Sequence, residues 1–205
     1  TEYRRTLDTW FAQGAMATGR AAHTATLLAD GRVLVTGGFD SPGTVTATCE
    51  IYNPATFSWS PAASMGGPRA QHAAVLLDDG RVLVAGGYLN AAISPLATAE
   101  IYDPAFDTWT PTPNMSVPHA EGGINRELIK FGGGQCAWIG GVTDAFGTVT
   151  GVVDLFTPGP DTWAAAAPIL PASSVWAGTL LSGCDCVITG GGDSASVPQI
   201  SSEVS

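Results

Sequence analysis

The sequence has little positive charge, little histidine and no long hydrophobic run, and each shortage excludes a class of function. Only 8 of its 205 residues are Lys or Arg, against 18 Asp or Glu, so the formal net charge is −10. A surface of this sign repels phosphate backbones and anionic lipid, so we expect no nucleic-acid partner. No apolar run approaches the roughly 18 residues that a membrane-spanning helix needs, so we also expect no membrane insertion.

Charge of either sign is scarce, whereas turn-forming residues are abundant. Charged residues make up 13% of the chain, which holds 26 glycines and 14 prolines. This composition favours many short elements joined by turns over long helices, and the length suits one domain with a sizeable core. The first residue is Thr and no signal-like segment follows. We therefore interpret the chain as a processed form or a fragment.

Four sequence features repeat in phase at a spacing near 50 residues. Glycine pairs begin at Gly37, Gly86, Gly140 and Gly190. Tryptophans stand at Trp10, Trp59, Trp109 and Trp163, each seven residues after an aromatic residue. Two positions before that aromatic, three copies carry an acid, at Glu50, Glu100 and Asp154, and Glu203 stands at the matching place in the last copy. Because the features keep a common phase, the chain consists of internal repeats.

The first two copies define the structure of one unit. Each has an apolar run, then Asp-Gly, then the strand-like run RVLV. Asp-Gly between two apolar runs predicts a hairpin, because both central residues can take positive φ. A third run, TATCEIY or ATAEIY, is followed by an Asn-Pro or Asp-Pro turn and a fourth run through the tryptophan. Each unit is therefore predicted to be a four-stranded antiparallel meander stacked between neighbouring sheets.

The run RVLVTGG also resembles the start of a nucleotide-binding strand–loop–helix unit. That function needs a third glycine and a helix whose N-terminus meets the pyrophosphate. The residues that follow, FDSPGTVTATCEIY, leave no room for a helix before the next strand. We therefore interpret the glycine pairs as positions where blades or rings approach the backbone closely.

The order Gly-Gly, Glu, Tyr and Trp at these spacings resembles the kelch repeat. The pattern Arg-x-x-His before the first strand does so too, at Arg20 with His23 and Arg69 with His72. The strands are most similar to bacterial kelch repeats and to the propeller of galactose-oxidase-like proteins. The resemblance implies a β-propeller in which each repeat forms one blade, and in which the repeat acid pairs with the repeat arginine. Copies three and four keep the glycines but depart elsewhere.

We predict an all-β kelch-type propeller with four blades of four antiparallel strands, forming a single domain over residues 1–205. The repeats span about 13–62, 63–112, 113–166, and 167–205 together with 1–12. Residues 6–12 offer the fourth strand that the last copy lacks, so we expect the N-terminal strand to close the ring. The alternatives are part of a larger propeller and a dimer of half-rings, and we favour the monomer.

Departures from the repeat and polar loop residues are the candidate binding residues. His119 and Trp176 stand where earlier copies have a repeat arginine or histidine. The full set is Arg20, Arg69, His119, Trp176, Asp40, Asn90, Asp144 and Asp193. For the repeat arginines, pairing with the repeat acids is the simpler interpretation. For the aberrant copies, decay of a redundant repeat is the alternative to a binding face.

The four cysteines allow three complete pairings, and sequence does not choose among them. We favour free thiols, with a bridge between Cys136 and Cys186, or Cys136 and Cys184, as the alternative. The galactose-oxidase resemblance implies a copper ion held by histidines and tyrosines with a Cys–Tyr crosslink. The chain has only three histidines, two of them at repeat positions. We therefore predict no metal site and no cofactor.

These observations predict a non-catalytic binding or scaffold module for a protein or glycan ligand. The contact surface is expected on the loops after the glycine pairs (39–46, 88–97, 142–148 and 192–198) or at the axial opening. The alternative is an enzyme with an axial active site, either a galactose-oxidase-like copper oxidase or a sugar hydrolase or isomerase. The sequence does not establish a location, and the bacterial character of the repeats favours an extracellular or cell-surface one.

Overall fold

The computed structural model describes residues 2–4, 9–11, 14–40, 43–90, 94–120, 128–144, 146–148, 150–168, 177–180, 186–192 and 198–204. Within these ranges the chain forms β-strands and one short 3-10 turn, Gly132–Gly134, and no α-helix. The strands are β1 (Glu2–Arg4), β2 (Thr9–Phe11), β3 (Thr24–Leu27), β4 (Val33–Thr36), β5 (Cys49–Asn53), β6 (Ser58–Ala62), β7 (Ala73–Leu76), β8 (Val82–Ala85), β9 (Ala99–Asp103), β10 (Thr108–Pro111), β11 (Ile129–Lys130), β12 (Cys136–Ile139), β13 (Val153–Thr157), β14 (Thr162–Ala166), β15 (Ala177–Leu180), β16 (Cys186–Gly192) and β17 (Pro198–Val204).

Three complete antiparallel sheets follow the repeats. Strands β3–β6, β7–β10 and β11–β14 each pair in chain order, and we name these sheets blade 1, blade 2 and blade 3. The repeat aromatic and the repeat tryptophan are cross-strand partners in every blade: Tyr52 with Trp59, Tyr102 with Trp109, and Phe156 with Trp163. The ring centroids of each pair lie 5.1 Å apart. The predicted four-stranded meander is therefore confirmed, and its outer strands are held by an aromatic pair.

The two ends of the chain form smaller sheets in the described residues. Strands β15, β16 and β17 form a three-stranded antiparallel sheet. Strands β1 and β2 pair with each other, with Tyr3 opposite Trp10 as in the outer hairpins of the blades. Since three four-stranded sheets are seen, the fourth complete blade and the closure of the ring by residues 6–12 stay predictions. The single-domain boundaries stay predictions as well.

The hydrophobic core lies between the blades, because the middle strands are buried on both faces. On β8, Val82 and Val84 pack toward blade 1 with Leu34 and Ile51. The intervening residues of β8 belong to the cluster shared with blade 3, which contains Leu83, Ala85, Ile101, Trp138 and Phe156. Side chains alternate across a strand, so one continuous apolar run supplies both interfaces. Each buried aliphatic side chain contributes about 1.5–3 kcal/mol to folding.

The Asp-Gly hairpins form as predicted, but their turn type differs. Only the glycines, Gly31 and Gly80, have positive φ, at 86° and 88°, whereas the preceding aspartates do not. The loop is longer than a two-residue turn: the amide of Gly31 donates to the carbonyl of Leu28, and the amide of Leu28 donates to Arg32. A turn followed by a glycine in the left-handed region closes such a loop, so one positive φ is enough.

Each blade has two distinct ends. We call the end with the Asp-Gly turns the hairpin end, and the end with the glycine pairs the glycine end. At the glycine end neighbouring blades approach closely: a Cβ at Gly37 would lie 2.3 Å from the carbonyl oxygen of Arg69, and one at Gly86 would lie 2.5 Å from that of His119. The glycine pairs therefore serve blade packing, as predicted.

Candidate functional site

In blades 1 and 2 the repeat arginine and the repeat glutamate form a buried ion pair at the glycine end. Arg69 Nη2 lies 2.8 Å from Glu100 Oε1, and Arg20 Nη2 lies 2.9 Å from Glu50 Oε1. Arg69 Nη1 also donates to the carbonyl of Gly86 at 3.0 Å, as Arg20 does to Gly37. The pairing that the kelch resemblance implies is therefore present in both blades.

This ion pair fixes the segment that leads into each blade. In blade 2 the second oxygen of Glu100 accepts a hydrogen bond from the amide of Gly66 at 2.7 Å. In blade 1 the second oxygen of Glu50 accepts one from the amide of Ala17 at 2.8 Å. We call the set formed by the repeat cation, the repeat acid and the incoming amide the blade clamp. Both Nη atoms of each arginine are bonded inside the blade, so Arg20 and Arg69 make internal contacts here. Among the described residues, the buried Nε of each has no hydrogen-bond partner.

Blade 3 builds its clamp from different residues. His119 Nδ1 lies 2.8 Å from the carbonyl oxygen of Gly140, and His119 Nε2 lies 2.8 Å from Asp154 Oδ2. The amide and the hydroxyl of Ser116 donate to the two oxygens of Asp154, at 3.1 and 3.0 Å. Both His119 and Asp154 are fully buried. His119 therefore takes the structural position of the repeat arginine.

The electrostatics of this clamp favour an ionised carboxylate. Burial acts to raise the pKa of Asp154, but the hydrogen bonds from His119 and Ser116 outweigh it and hold the pKa below its ordinary value of 3.8. Both ring nitrogens of His119 face acceptors, so hydrogen bonding at both requires the imidazolium form. The clamp of blade 3 thus holds its acid with an imidazole where blades 1 and 2 use a guanidinium.

The repeat histidine of blade 2 joins two blades. His72 Nε2 lies 3.0 Å from Thr24 Oγ1 and 2.8 Å from Thr36 Oγ1. His72 is fully buried, and both threonines belong to blade 1. Its environment supports the structural interpretation of the repeat histidines.

The loop aspartates at the glycine end stabilise their own loops. Asp40 Oδ1 accepts a hydrogen bond from the amide of Thr44, and Asp144 Oδ1 accepts one from that of Thr148, both at 2.9 Å. The hydrogen bonds from the Thr148 hydroxyl and amide lower the pKa of Asp144. Such side-chain-to-backbone bonds are typical of Asx turns. Neither carboxylate is thereby excluded from binding, but each has a structural role.

The remaining predicted binding residues are placed as follows. Asn90 is exposed in the loop after the glycine pair of blade 2. Trp176 and Asp193 lie outside the described residues. The six predicted residues that the structure describes are not brought together: three lie in separate clamps and three in separate loops.

A cavity of about 700 Å³ opens along blade 2, between the incoming segment and the outer strands. Its apolar wall is formed by Ala63, Pro68, Leu89, Leu96, Trp109 and Pro111. Its charged lining side chains are bonded within the blade, because Arg69 pairs with Glu100 and Asp107 accepts from the hydroxyl of Tyr102 at 2.8 Å. The cavity therefore presents apolar surface with uncharged polar groups such as Asn114 and Thr98.

Sequence reasoning identified Arg69 among the residues of this cavity and missed the others. Leu89 belongs to the predicted loop 88–97, but it was not distinguished from its neighbours. Leu89 has 42% of its surface exposed, which is high for a leucine beside a cavity. The sequence signal for this wall is an apolar residue, Leu89, directly after the glycine pair and Tyr88.

The described residues do not fit the copper site that the galactose-oxidase resemblance implies. Among them, no group of three His, Cys, Asp or Glu side chains converges as metal ligands. His72 and His119 belong to different blades and are bonded to hydroxyls, a carbonyl and a carboxylate.

The described cysteines are buried thiols. Cys49 and Cys136 are both free, and burial raises their pKa to about 12 and about 11. The side chain of Cys186 and all of Cys184 lie outside the described residues. The free thiol of Cys136 agrees with the favoured interpretation and counts against the alternative bridge.

In the part of the chain that the structure describes, we find no helix with the length and hydrophobicity to cross a membrane.

Comparisons with known proteins follow the same repeats. The family model of the kelch motif matches residues 20–66 and 68–116. A similar solved structure, described as "Structure of YjhT", has a TM-score of 0.73 and 18% sequence identity, and the match covers 90% of this chain and 63% of that one. This chain therefore spans less than two thirds of the length of that structure, and the likeness shows the fold alone. No curated protein sequence matches.

Proposed function

We propose that this chain, which matches the kelch motif over residues 20–66 and 68–116 and has the blades of a kelch-type β-propeller, is a non-catalytic binding module. The proposed ligand site is the cavity of blade 2. The fold supports a binding or scaffold role in general, because propeller blades hold loops on a rigid framework. The ligand class and the site are specific parts of the proposal.

The observation that carries the proposal is the size and character of this cavity. Its volume, about 700 Å³, falls within the range of roughly 300–1,000 Å³ that is typical of ligand pockets. Apolar and aromatic walls with a few polar groups are also typical of such sites. Trp109 is anchored by a 2.8 Å hydrogen bond from its indole N–H to the carbonyl of Ala63, so the wall is ordered before a ligand binds.

The charge distribution favours an uncharged ligand surface. Arg69, Glu100 and Asp107 are each bonded to another group of the protein. A charged ligand would lose its hydration without gaining a free partner, which is unfavourable. Because most of the wall is apolar, we infer an apolar segment of a partner protein as the ligand, and a glycan is the other outcome of the test.

The enzyme alternative has less support. In blade 3, Ser116, His119 and Asp154 include the residue types of a nucleophilic triad, but Ser116 Oγ donates to Asp154 at 3.0 Å. Nucleophilic catalysis needs the serine bonded to the histidine. Here the two nitrogens of His119 are bonded to Gly140 and Asp154 instead.

Selection from a displayed random-peptide library, with a glycan array in parallel, tests the proposal. Binders selected on the natural sequence are measured against Leu89→Asp and, as a matched control, Phe106→Asp. Both side chains are exposed, at 42% and 77%, but only Leu89 lines the cavity. We expect Leu89→Asp to weaken binding by about tenfold or more and Phe106→Asp to leave it unchanged. Peptides that bind Leu89→Asp as well as the natural sequence would overturn the site. Binding to the glycan array with no peptide selected would overturn the ligand class.

A further inference from the structure

At the hairpin end, an arginine of blade 2 holds a carboxylate of blade 3. Arg81 Nη1 and Nη2 donate to the two oxygens of Asp161 at 2.7 and 2.9 Å. Arg81 Nε donates to Asp79 at 2.8 Å, which orients the guanidinium. The paired contact is the bidentate geometry that arginine offers to a carboxylate.

The corresponding arginine of blade 1 is oriented in the same way but holds no second carboxylate. Arg32 Nε donates to Asp30 at 2.7 Å, and the backbone amide of Arg32 donates to the other oxygen of Asp30 at 3.0 Å. Within the described part of the chain, neither Nη atom of Arg32 has a hydrogen-bond partner. The side chain is 35% exposed, so the outer edge of its guanidinium faces solvent.

Two differences between the blades accompany this contrast: Tyr102 is a phenylalanine in blade 3, and Ala63 is a proline, which has no amide hydrogen. Asp107 occupies in blade 2 the position that Asp161 occupies in blade 3. The hydroxyl of Tyr102 donates to Asp107 at 2.8 Å, and the amide of Ala63 donates to the same oxygen at 2.9 Å. Blade 3 has Phe156 in place of Tyr102, so no hydroxyl competes for Asp161. Asp107 is thus kept from Arg32.

Arg32 lines a groove of about 580 Å³ between the hairpin ends of blades 1 and 2. The groove also contains Asp30 and Asp79, which pair with the arginines, and Asp103, whose carboxylate accepts the amide of Ala105 at 2.8 Å. These acids oppose anions in general. Attraction to a ligand therefore depends on the directed donors of Arg32 rather than on net charge, so we expect modest affinity that falls with salt.

We propose that Arg32 is a binding site for a carboxylate group, which takes at this arginine the place that Asp161 takes at Arg81. The carboxylate comes either from a small free acid or from an Asp or Glu side chain of a partner protein. This site lies at the opposite end of the blades from the clamps. It does not depend on the proposed cavity of blade 2.

Titration of the whole chain with N-acetylaspartate amide, followed by NMR of the arginine Nε–Hε groups, tests the proposal. We expect a saturable shift of the Arg32 signal and a constant Arg81 signal, because the donors of Arg81 are occupied. No saturable shift at Arg32, or equal shifts at both arginines, would overturn the proposal. Acetate and a Gly-Gly-Asp-Gly-Gly peptide form two further arms, with the Asn peptide as control. Tighter binding of the Asp peptide assigns the site to protein side chains, and equal binding assigns it to free acids.

Two variants distinguish bidentate recognition from simple charge. Arg32→Lys keeps the positive charge without the two parallel donors, and we expect it to weaken binding about tenfold. Tyr102→Phe copies the arrangement of blade 3, so Asp107 is expected to compete for Arg32 and reduce binding, and adding Asp107→Asn restores it. Because the side chain of Arg32 faces solvent, Arg32→Lys still tests bidentate recognition if Tyr102→Phe perturbs the fold. Unchanged affinity in Arg32→Lys would contradict the assignment.

Discussion

Blade 2 and blade 3 hold their incoming segments at the same place with different side chains. Arg69 and Glu100 do this in blade 2, and His119 and Asp154 do it in blade 3. In both, the cation binds the first carbonyl of the glycine pair, and the acid binds an incoming amide. The geometry is thus retained while the side chain that holds the acid changes from a guanidinium to an imidazole. The difference shows that a departure from the repeat need not be decay, since the replacement residues keep the contacts to the acid, to the glycine carbonyl and to the incoming amide.

The largest effect is expected when the acid of a clamp is removed. Glu100→Ala leaves the guanidinium of Arg69 buried without its partner, and we expect a loss of about 3–5 kcal/mol in the free energy of unfolding. Asp154→Ala is expected to cost less, about 1–3 kcal/mol, because the groups left without their acceptor are those of Ser116 and an imidazole rather than a guanidinium. Chemical denaturation of both variants measures the two losses. An equal or larger loss for Asp154→Ala would remove the distinction between the clamps.

Exchanging the clamp of blade 3 for that of blade 2 gives the next largest effect. His119→Arg alone places a longer side chain against Asp154 and against Trp138, whose ring lies 5.4 Å from that of His119. We expect this variant to lose about 1–3 kcal/mol through overpacking. The further change Asp154→Glu completes the pair used in blade 2, and we expect a favourable coupling of about 1–2 kcal/mol. A double-mutant cycle measured by denaturation determines this coupling, and additive losses would show that the two positions do not act as a clamp.

The pH dependence of stability measures the contribution of the Asp154 carboxylate. The pKa of Asp154 is lowered in the folded protein, so its contribution is present above its ordinary value of 3.8 and is lost as pH falls through the lowered value. We therefore expect the thermal midpoint of the natural sequence to fall more steeply on acidification than that of Asp154→Asn, which has no carboxylate to protonate. Thermal melts between pH 6 and pH 2 measure both slopes. Parallel curves would contradict the lowered pKa.

The smallest effect is expected at the hairpin end. Asp161→Asn removes the carboxylate of the bridge to Arg81, whose side chain is 25% exposed, and we expect a loss of about 1 kcal/mol. The matched control is Asp107→Asn. In the described residues Asp107 accepts hydrogen bonds from Tyr102 and Ala63 and forms no ion pair, so this substitution breaks none. A larger salt dependence of stability is expected for the natural sequence than for Asp161→Asn. Denaturation at two salt concentrations measures it, and equal salt dependence would mean that the bridge contributes nothing.

The blades were predictable from the sequence because their signals repeat. The Asp-Pro turn between Tyr102 and Trp109 predicted a third and a fourth strand, and the structure has both. The arginine–glutamate pairing followed from the kelch resemblance. The turn around Gly31 was not predicted correctly, because Asp-Gly is compatible with more than one loop length and only the hydrogen bonds decide between them.

The site was harder to predict than the fold. A cavity depends on the distance between the incoming segment and the outer strands, and that distance has no periodic signature. The role of Asp107 depends on whether its carboxylate lies within hydrogen-bonding distance of Tyr102 or of Arg32, and only the three-dimensional structure shows this. Likewise, His119 was identified as an unusual residue, but its position as the cation of a clamp required the contacts to Gly140 and Asp154.

Hydrogen–deuterium exchange, measured with and without a selected peptide ligand, tests whether the cavity of blade 2 binds the ligand. If the ligand binds there, we expect slower exchange in residues 63–69 and 96–99, which form the two sides of the cavity. The loop 142–148 of blade 3 serves as the internal reference and is expected to be unchanged. Protection confined to that loop or to the hairpin end, with no change at residues 63–69, would contradict binding in the cavity of blade 2.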